Sequence, residues 1–526
     1  MKKIMMYDST LRDGAQAQGI SYTVEDKLNI VQKLDMLGMS YIEAGNPGSN
    51  PKDLEFFERV KKLRLNHSSL IAFGSTRRAG ISVEEDANII SLLRADTAAI
   101  AIFGKSWDFQ VTEILKTTLK ENLSMIYDTV SYLKSKGKEV VFDAEHFFDG
   151  YSVNPEYAVK TLKAAADAGA DSLCLCDTKG GTLPMDIYEI TKKVVGSFNI
   201  PVGIHCHNDN GMAVAGSIMA VQAGAKQVQG TVNGLGERCG NANLCTIIPN
   251  LQLLMGFECI PESSLNELTS VSRSLSEIAN VDFDDRAPYV GKTAFAHKAG
   301  MHADAVHKNT AAYELIDPEV IGNERVFLMS EVAGRSAVMK LIKKVDPAIS
   351  KDSPETRHIL AKLKDMEYQG YQYEGAESSF ELIIMKLLGK YHPFFELKEF
   401  KVIVDEPNVS DVNSSAMIKI KVGEQEEITA AEGDGPVNAL DNAVRKALER
   451  FYPQIKEMKL TDYKVRVLDS NTATAAKVRV LIESADKDKV WTTIGVSTDI
   501  IDASWKALVD SIEYKLSMQE KGAKSL

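Results

Sequence analysis

The sequence has no apolar run near the roughly 20 residues that a membrane-spanning helix requires. Only residues 4–6 precede Asp8 as an apolar stretch at the N-terminus, which is too short for the core of a signal peptide. The net charge is −12 and no basic block offsets it, which argues against nucleic-acid binding. We therefore expect a cytoplasmic protein without a nucleic-acid or membrane partner.

Cysteine is also scarce, and the six cysteines form no Cys-x-x-Cys pair. We therefore expect reduced thiols, as in a cytoplasmic enzyme, and no disulfide framework. The glycine-rich segment 234–243 lacks the Gly-x-Gly-x-x-Gly spacing, and no acidic ribose ligand follows it. A dinucleotide site is therefore disfavoured.

Residues 1–250 alternate short β-branched runs with helical segments. Eight candidate strands, separated by helical segments, fall within about 240 residues. An α/β protein with a (β/α)8 TIM barrel requires this number of strands in a chain of about this length. An open doubly wound sheet is the alternative, but the even spacing of the units favours closure. We assign residues 1–285 to a catalytic barrel. The candidate strands are residues 3–7, 41–45, 70–74, 97–103, 139–147, 172–177, 202–207 and 227–233.

The alternation of strands and helices ends near residue 250, and residues 286–392 are interpreted as helical linker subdomains. Residues 393–526 return to strands followed by a helix, and this order occurs twice. The helical stretches 436–451 and 500–516 resemble each other at an offset of about 64 residues. A duplicated β-rich unit after a barrel predicts an α+β domain with a regulatory or dimerisation role.

Two histidines, His205 and His207, lie two positions apart at the predicted end of the seventh strand. Side chains at this spacing face the same side of a strand, which here is the barrel lumen. A hydrogen-bonded pair of core histidines is one interpretation. The adjacent Asn208 and Asp209, together with the position at a strand end, favour a metal-binding pair.

Other polar residues follow predicted barrel strands and would face the same lumen. Glu43 and Glu145 end strands two and five, and a charged residue there is costly unless it is paired or functional. Asp13, Arg12 and Asn241 could each be explained as a turn or surface residue if taken alone. Together with the histidines, they indicate a mixed oxygen and nitrogen metal site with an anion-binding partner. Further along, His297 and His302 could be surface residues or part of a second functional edge.

Four stretches resemble the Claisen-condensing acyltransferases with a metal-dependent barrel, namely the 2-isopropylmalate, homocitrate and citramalate synthases. Two more, residues 47–53 and 294–298, are most similar to the citramalate-forming members. The resemblance covers nearly the whole chain, including a C-terminal domain like the one that senses leucine or isoleucine in this family. The four stretches are residues 10–14, 142–150, 205–209 and 234–243.

The resemblance implies condensation of acetyl-CoA with pyruvate and water to (R)-citramalate and CoA, the first step of a pyruvate route to isoleucine. It also implies a divalent metal (Mg, Mn or Zn), acetyl-CoA as co-substrate, a homodimer, and isoleucine as a possible feedback ligand. The alternatives are a 2-isopropylmalate or homocitrate synthase using another 2-oxo acid, or a related metal-dependent carbon–carbon lyase. An amidohydrolase and an inactive amino-acid sensor are weaker alternatives.

The resemblance also implies roles for individual residues. Arg12 would stabilise the oxyanion of the 2-oxo acid, and Glu43 would hold Arg12 and its neighbouring carboxylate in place. Glu145 and His302 would transfer protons, with His302 supplied by the partner subunit, and Thr178 would contact the substrate carboxylate. The implied metal ligands are Asp13, His205, His207 and Asn241.

Two residues depart from the pattern of the family. Asn46 stands where an aromatic residue is expected, and Lys179 stands where an asparagine is usual. Both follow predicted strand ends, so they bear on the choice of substrate and not on the type of reaction.

Overall fold

The computed structural model describes residues 2–297, 300–327, 339, 342–343, 345–350, 353–371, 376–404, 414–468, 476–487 and 489–524. The chain divides into two compact units, Met1–Phe295 with Glu314–Arg325 and Ala296–Tyr313 with Val326–Leu526. Lys298, in one of the stretches that carry the resemblance, lies outside the described residues. All six cysteines are free thiols, as predicted. Within the described ranges, no helix has the length and apolar character needed to cross a bilayer.

Eight parallel strands close into a barrel in the first unit, in the order β1 to β8, with β8 paired to β1. This confirms the predicted TIM barrel over the open sheet. The pairing of Met5–Asp8 with Gln227–Gly230 makes the closure. The strands are β1 Met5–Asp8, β2 Tyr41–Gly45, β3 Ser69–Ser75, β4 Ala99–Lys105, β5 Glu139–Glu145, β6 Ser172–Asp177, β7 Val202–Cys206 and β8 Gln227–Gly230.

Strands β5, β7 and β8 end earlier in the structure than the sequence indicates, and β5 stops at Glu145 because the helix Phe147–Val153 follows. Strand β8 stops at Gly230, because a short helical turn at Val232–Gly234 follows, in which Asn233 has a positive φ of 61°. Strand β7 stops at Cys206, so that His207 lies one residue beyond it and forms an isolated bridge with Asn241. The early ends of β7 and β8 leave polar side chains at the carboxyl ends of the strands, where barrel enzymes carry their active sites.

Helices follow most barrel strands and continue beyond the barrel. A capping box at Thr23 starts the first one, where Thr23 and Asp26 bond reciprocally, and Gly38 ends it in the left-handed region. The α-helices are Val24–Leu37, Pro51–Val60, Ala87–Ala95, Leu119–Ser135, Phe147–Val153, Pro155–Asp167, Pro184–Val195, Ala213–Gln222, Leu244–Pro249, Leu268–Ala279, Gly300–Lys308, Pro354–Tyr368, Glu377–Leu387, Pro436–Leu448 and Ile500–Lys524.

The second unit contains a strand pair that the sequence did not predict. Strands β9 (Ala296–His297) and β10 (Val326–Phe327) pair in parallel between the helices of this region. They contain only two residues each, too few for the alternation of polar and apolar side chains that identifies a strand in the sequence.

The duplicated unit near the C-terminus is present in the structure. Two three-stranded antiparallel sheets each precede a long helix. The threonine hydroxyl of Thr429 donates to the carbonyl of Ala443 at 2.8 Å, and that of Thr493 donates to Ala507 at 2.7 Å. These equivalent bonds follow the predicted offset. The sheets contain β11 Glu396–Val404, β12 Ser414–Val422 and β13 Gln425–Gly433, then β14 Lys459–Val467, β15 Val478–Ala485 and β16 Val490–Ser497.

Candidate active site

A cavity of about 310 Å³ lies at the carboxyl ends of the barrel strands. Each of the eight strands, or the loop that follows it, contributes to its lining, so the whole barrel positions the site. Most of the side chains are polar. The lining residues are Arg12, Asp13, Gln16, Asn46, Phe73, Phe103, Asp143, Glu145, Cys176, Thr178, His205, His207, Glu237 and Arg238.

Three of these residues form a buried cluster with the composition of a metal site. The Oδ2 atom of Asp13 lies 3.6 Å from Nε2 of His205 and 3.8 Å from Nε2 of His207. Each residue offers one ligand atom, and the three atoms lie within 4.8 Å of one another. The sequence predicted this cluster although its members are about 190 residues apart in the chain, because barrel closure brings β7 close to β1.

The protonation states of this cluster suit metal binding. Burial lowers the pKa of both histidines, and that of His207 falls to about 4, so the imidazoles are neutral near pH 7. Burial by itself would raise the pKa of Asp13, but Arg12 and the two histidines lower it below its usual range. The cluster therefore offers one carboxylate and two neutral imidazoles, which are the ligating forms of these groups.

Asn241 adds a fourth donor. Its Nδ2 donates to Oδ1 of Asp13 at 3.0 Å and to the carbonyl of Leu235 at 3.0 Å. Its Oδ1 is buried and has no hydrogen-bond partner among the described residues. A buried amide oxygen without a partner is costly, and a divalent cation would satisfy it. The four residues therefore fit a cation that accepts oxygen and nitrogen ligands, such as Mg²⁺, Mn²⁺ or Zn²⁺.

The guanidinium of Arg12 is held from several sides. Its Nε lies 2.6 Å from Oε2 of Glu43, and its Nη1 lies 2.9 Å from Oδ2 of Asp13. The guanidinium carbon sits 3.8 Å from the centre of the Phe73 ring, which adds a cation–π contact. Arg12 lines the cavity, so this fixed positive charge faces the space next to the metal cluster.

Glu43 is fully buried and anchors Arg12. The hydroxyl of Tyr7 donates to its Oε1 at 2.7 Å, and the hydroxyl of Ser9 donates to its Oε2. Burial and the negative charge of Glu43 raise the pKa of Tyr7 well above its usual value, so the phenol remains a donor. The buried carboxylate is therefore paired and hydrogen-bonded, which a barrel interior requires of a charged group.

Glu145 pairs with a residue that the sequence analysis missed. Lys105 Nζ lies 2.5 Å from Oε2 of Glu145, and the two residues are register partners at the ends of β4 and β5. The backbone N–H of Ser106 also donates to the carbonyl of Glu145 at 2.9 Å. Lys105 is the last residue of β4 in the structure but lies two residues beyond the predicted end of that strand, so the sequence analysis did not place it at a strand end, where functional side chains collect.

Thr178 follows β6 and is held by two neighbouring loops. Its Oγ1 accepts a bond from the backbone N–H of His146 at 2.8 Å, and its carbonyl accepts one from Nη2 of Arg238 at 2.8 Å. Arg238 also reaches both carboxylate oxygens of Asp209, at 2.8 and 3.0 Å. Arg238 lies in the glycine-rich segment 234–243. Its contacts with Thr178 and Asp209 could not be predicted, because these partners are far away in the sequence.

The two residues that depart from the family pattern both lie at this end of the barrel. Asn46 lines the cavity, and its backbone N–H donates to Oδ2 of Asp53 at 2.8 Å. Lys179 lies 3.1 Å from Oδ1 of Asp149 and 4.7 Å from the centre of the Trp107 ring. Asn46 can therefore contact a substrate in the cavity, whereas the Lys179 ammonium is already paired.

His302 belongs to the second unit, where it lies on the helix Gly300–Lys308. Its ring stacks on that of Tyr313, with centres 4.2 Å apart. The role in proton transfer that the resemblance implies for His302 stays a prediction.

These features define the class of protein: a TIM-barrel enzyme with a candidate metal site and an arginine beside it. Comparison with protein families agrees with this class. Residues 3–275 match the HMGL-like family, and residues 289–370 match the homocitrate synthase post-HMGL domain-like family. Residues 374–516 match the LeuA allosteric (dimerisation) domain. The C-terminal part of the chain is therefore a domain of an allosteric, dimer-forming type.

Curated relatives narrow the class. The chain is 52% identical to an (R)-citramalate synthase of Aquifex aeolicus over 522 residues, covering 99% of both chains. It is 51% identical to the (R)-citramalate synthase of Geobacter sulfurreducens, again over 99% of both chains. A probable 2-isopropylmalate synthase of Methanopyrus kandleri is 31% identical, covering 97% of this chain and 98% of the relative. The chain belongs to the (R)-citramalate synthase family.

Proposed function

We propose that this chain condenses acetyl-CoA with pyruvate and water to give (R)-citramalate and free CoA. The observation that carries the proposal is the 52% identity to an (R)-citramalate synthase over 99% of both chains. The buried cluster of Asp13, His205 and His207 next to Arg12 supports it, because a 2-oxo acid offers oxygen atoms to a cation and negative charge to an arginine.

Asp13, His205, His207 and Asn241 would hold a divalent cation, Mg²⁺, Mn²⁺ or Zn²⁺. When bound, such a cation supplies Lewis-acid polarisation of a ketone. The neutral imidazoles and the orphaned amide oxygen of Asn241 support this assignment. Metal analysis of the purified protein identifies the ion.

Arg12 would stabilise the charge that develops on the ketone oxygen of pyruvate. Its guanidinium is already held by Glu43 and Asp13, so little reorganisation is needed as the charge forms. Preorganised donors of this kind contribute a few kcal/mol each to the transition state. Thr178, at the end of β6, would bind the pyruvate carboxylate through its hydroxyl.

Glu145 would take the proton from the methyl group of the acetyl thioester. Its ion pair with Lys105 supports this role, because it holds the carboxylate at the rim of the cavity. The carbanion equivalent formed there would attack the ketone carbon of pyruvate. His302, contributed by the partner subunit of a homodimer, would complete the proton transfer. Hydrolysis of the thioester then releases CoA and makes the condensation effectively irreversible.

We also propose a function for each of three regions of the chain. Residues 1–285 would form the catalytic barrel, residues 286–392 the helical linker subdomains, and residues 393–526 the regulatory and dimerisation domain. The match of residues 374–516 to an allosteric domain supports feedback control, for which isoleucine is the proposed ligand. The proposed location is the cytoplasm.

Product analysis tests the proposed reaction. The full-length protein is incubated with acetyl-CoA and carbon-13-labelled pyruvate, and the products are separated on a chiral column and examined by NMR. Labelled (R)-citramalate, formed in equal amount to free CoA, is the expected result. Condensation only with a branched or longer 2-oxo acid would indicate a 2-isopropylmalate or homocitrate synthase. Cleavage of a hydroxy-acyl-CoA without any condensation would indicate a lyase.

A further inference from the structure

A second group of metal-ligating side chains lies in the barrel, apart from the Asp13 cluster. It consists of Asp143 on β5 and of Cys174 and Cys176 on β6, and each residue offers a ligand atom within 4.8 Å of the others. All three residues are buried. The two cysteines are two positions apart on one strand, so their side chains share the face that bears Asp143. None of the proposed catalytic steps uses them.

The charge of Asp143 has no cationic partner in direct contact. Nε2 of Gln229 donates to its Oδ1 at 2.8 Å, and Asp143 forms no salt bridge among the residues that the structure describes. Burial, with the nearby charge of Glu43, raises the pKa of Asp143 to about 7. A buried carboxylate without a counterion is unfavourable, and a bound cation would offset that cost.

The chemistry of the three donors differs from that of the Asp13 cluster. Two thiols and one carboxylate select thiophilic cations such as Zn²⁺ and Cd²⁺, whereas the Asp13 cluster offers oxygen and nitrogen. Zinc binds thiolate sulfur at about 2.3 Å and carboxylate oxygen at about 2.0–2.2 Å in a tetrahedral arrangement. Ligands of one such ion are therefore about 3.3–3.8 Å apart, within the 4.8 Å limit that the three donors meet.

An ion could reach this group through the catalytic cavity. Asp143 and Cys176 both line the cavity, and Cys174 lies directly behind Cys176 on the strand. We propose that Asp143, Cys174 and Cys176 form a second metal site, selective for thiophilic divalent cations, in the wall of the catalytic cavity. An ion at this site would sit beside the substrate, so its binding is expected to slow turnover.

Cadmium binding to the metal-free, full-length protein tests the proposal. Bound cadmium is counted by elemental analysis after dialysis, and thiolate ligation is detected by its ultraviolet charge-transfer band. The expected result is two cadmium ions per chain with a thiolate band. The double variant Cys174→Ser/Cys176→Ser should bind one ion without the band. The matched control, Cys245→Ser/Cys259→Ser, removes two buried thiols outside the group and should retain both features.

A wild-type protein that binds one cadmium ion without a thiolate band would overturn the proposal. So would a double variant that keeps both the second ion and the band. Because the double variant could fail to fold, cadmium-113 NMR of the unaltered protein gives an independent measurement. A resonance shifted toward the thiolate range is expected beside one in the nitrogen and oxygen range, and the absence of the thiolate resonance would contradict the assignment. Neither measurement depends on catalytic activity.

Discussion

Arg12 Nε lies 2.6 Å from Oε2 of Glu43, and the same guanidinium reaches Asp13 at 2.9 Å. Glu43 belongs to β2, and Arg12 lies in the loop after β1, the strand that pairs with β2. The planar guanidinium of Arg12 therefore links the fully buried carboxylate of Glu43 to the candidate metal ligand Asp13. This arrangement fixes the direction in which the positive charge of Arg12 faces the cavity.

The variant Arg12→Lys tests whether this planar geometry matters. An ammonium keeps the charge but cannot make the forked contacts to Glu43 and Asp13. We expect kcat to fall about 100- to 1000-fold, the range for loss of one oxyanion donor, while metal content is unchanged. Turnover is measured by CoA release, and metal by elemental analysis. Arg59→Lys, at an exposed ion pair with Glu25, is the matched control. Near-normal turnover in Arg12→Lys would remove Arg12 from the mechanism.

Replacing Glu43 by glutamine tests how much the ion pair between Glu43 and Arg12 stabilises the barrel. The change leaves the Arg12 charge with one buried carboxylate partner, Asp13, instead of two, and gives Tyr7 and Ser9 a weaker acceptor. We expect the free energy of unfolding of the barrel to fall by about 3–5 kcal/mol, the usual cost of breaking a buried ion pair from one side. Urea denaturation followed by circular dichroism measures the change. Glu25→Gln, in an exposed pair, should cost about 1 kcal/mol or less. Equal losses in the free energy of unfolding would show that the buried pair of Glu43 stabilises the protein no more than the exposed pair of Glu25 does.

Removal of a metal ligand should separate metal binding from folding. We expect Asp13→Asn and Asn241→Ala each to weaken the binding of Mn²⁺ by at least about 10- to 100-fold, the loss typical even of outer-shell partners. Isothermal titration calorimetry measures the affinity, and thermal melting of the metal-free proteins checks the fold. His67→Gln, at an exposed histidine away from the cluster, is the control and should bind Mn²⁺ normally. Unchanged affinity in Asp13→Asn would contradict the proposed ligand set.

The pH dependence of stability tests the environment of Asp143. Its pKa is about 7 in the folded protein against an ordinary value of 3.8, so the folded state binds this proton more tightly than the unfolded state. The stability that the bound proton contributes is present at low pH and is lost as pH rises through 7. We therefore expect Asp143→Asn to gain stability relative to the wild type as pH rises from about 4 to about 7, by up to about 4 kcal/mol over that whole range.

This comparison is made by urea unfolding in the presence of a chelator, so that no metal ion affects the titration. Asp96→Asn, at an exposed position where asparagine tolerates the positive φ, is the matched control. The difference between Asp143→Asn and the wild type should grow with pH, whereas a difference that stays constant would show that Asp143 titrates normally.

The C-terminal domain gives a prediction about regulation. Because residues 374–516 match an allosteric domain, we expect isoleucine to lower the rate of CoA release and to raise the melting temperature of the full-length protein. Leucine and norvaline are the comparison ligands and should act only at much higher concentrations. If leucine were the stronger inhibitor, the domain would serve a different biosynthetic branch.

The sequence could predict those parts of the site that depend on strand ends alone. Asp13 and His207 each follow a recognisable strand, and His205 lies near the end of one. Barrel topology then brings the strand ends together. The pairing of Lys105 with Glu145 could not be predicted in this way, because it depends on the register between β4 and β5. A shift of one residue in that register would separate the two side chains.

The contact between His207 and Asn241 also could not be predicted from the sequence. His207 lies beyond the end of β7, and its bridge to Asn241 fixes that amide next to the metal cluster. This contact joins two loops, and loop geometry leaves little signal in composition or periodicity. The repeat near the C-terminus was predictable because two helices keep buried alanines at equivalent positions, where the facing sheets leave little space.

Release of CoA from acetyl-CoA, followed with a thiol reagent, is the most direct test of the proposed condensation. The full-length protein is assayed with pyruvate, 2-oxobutyrate and 2-oxoisovalerate, each with and without a chelator. We expect rapid release with pyruvate, loss of that release with the chelator, and its return when Mg²⁺, Mn²⁺ or Zn²⁺ is added. Release that requires no 2-oxo acid, or that continues at full rate in the chelator, would contradict the proposed condensation.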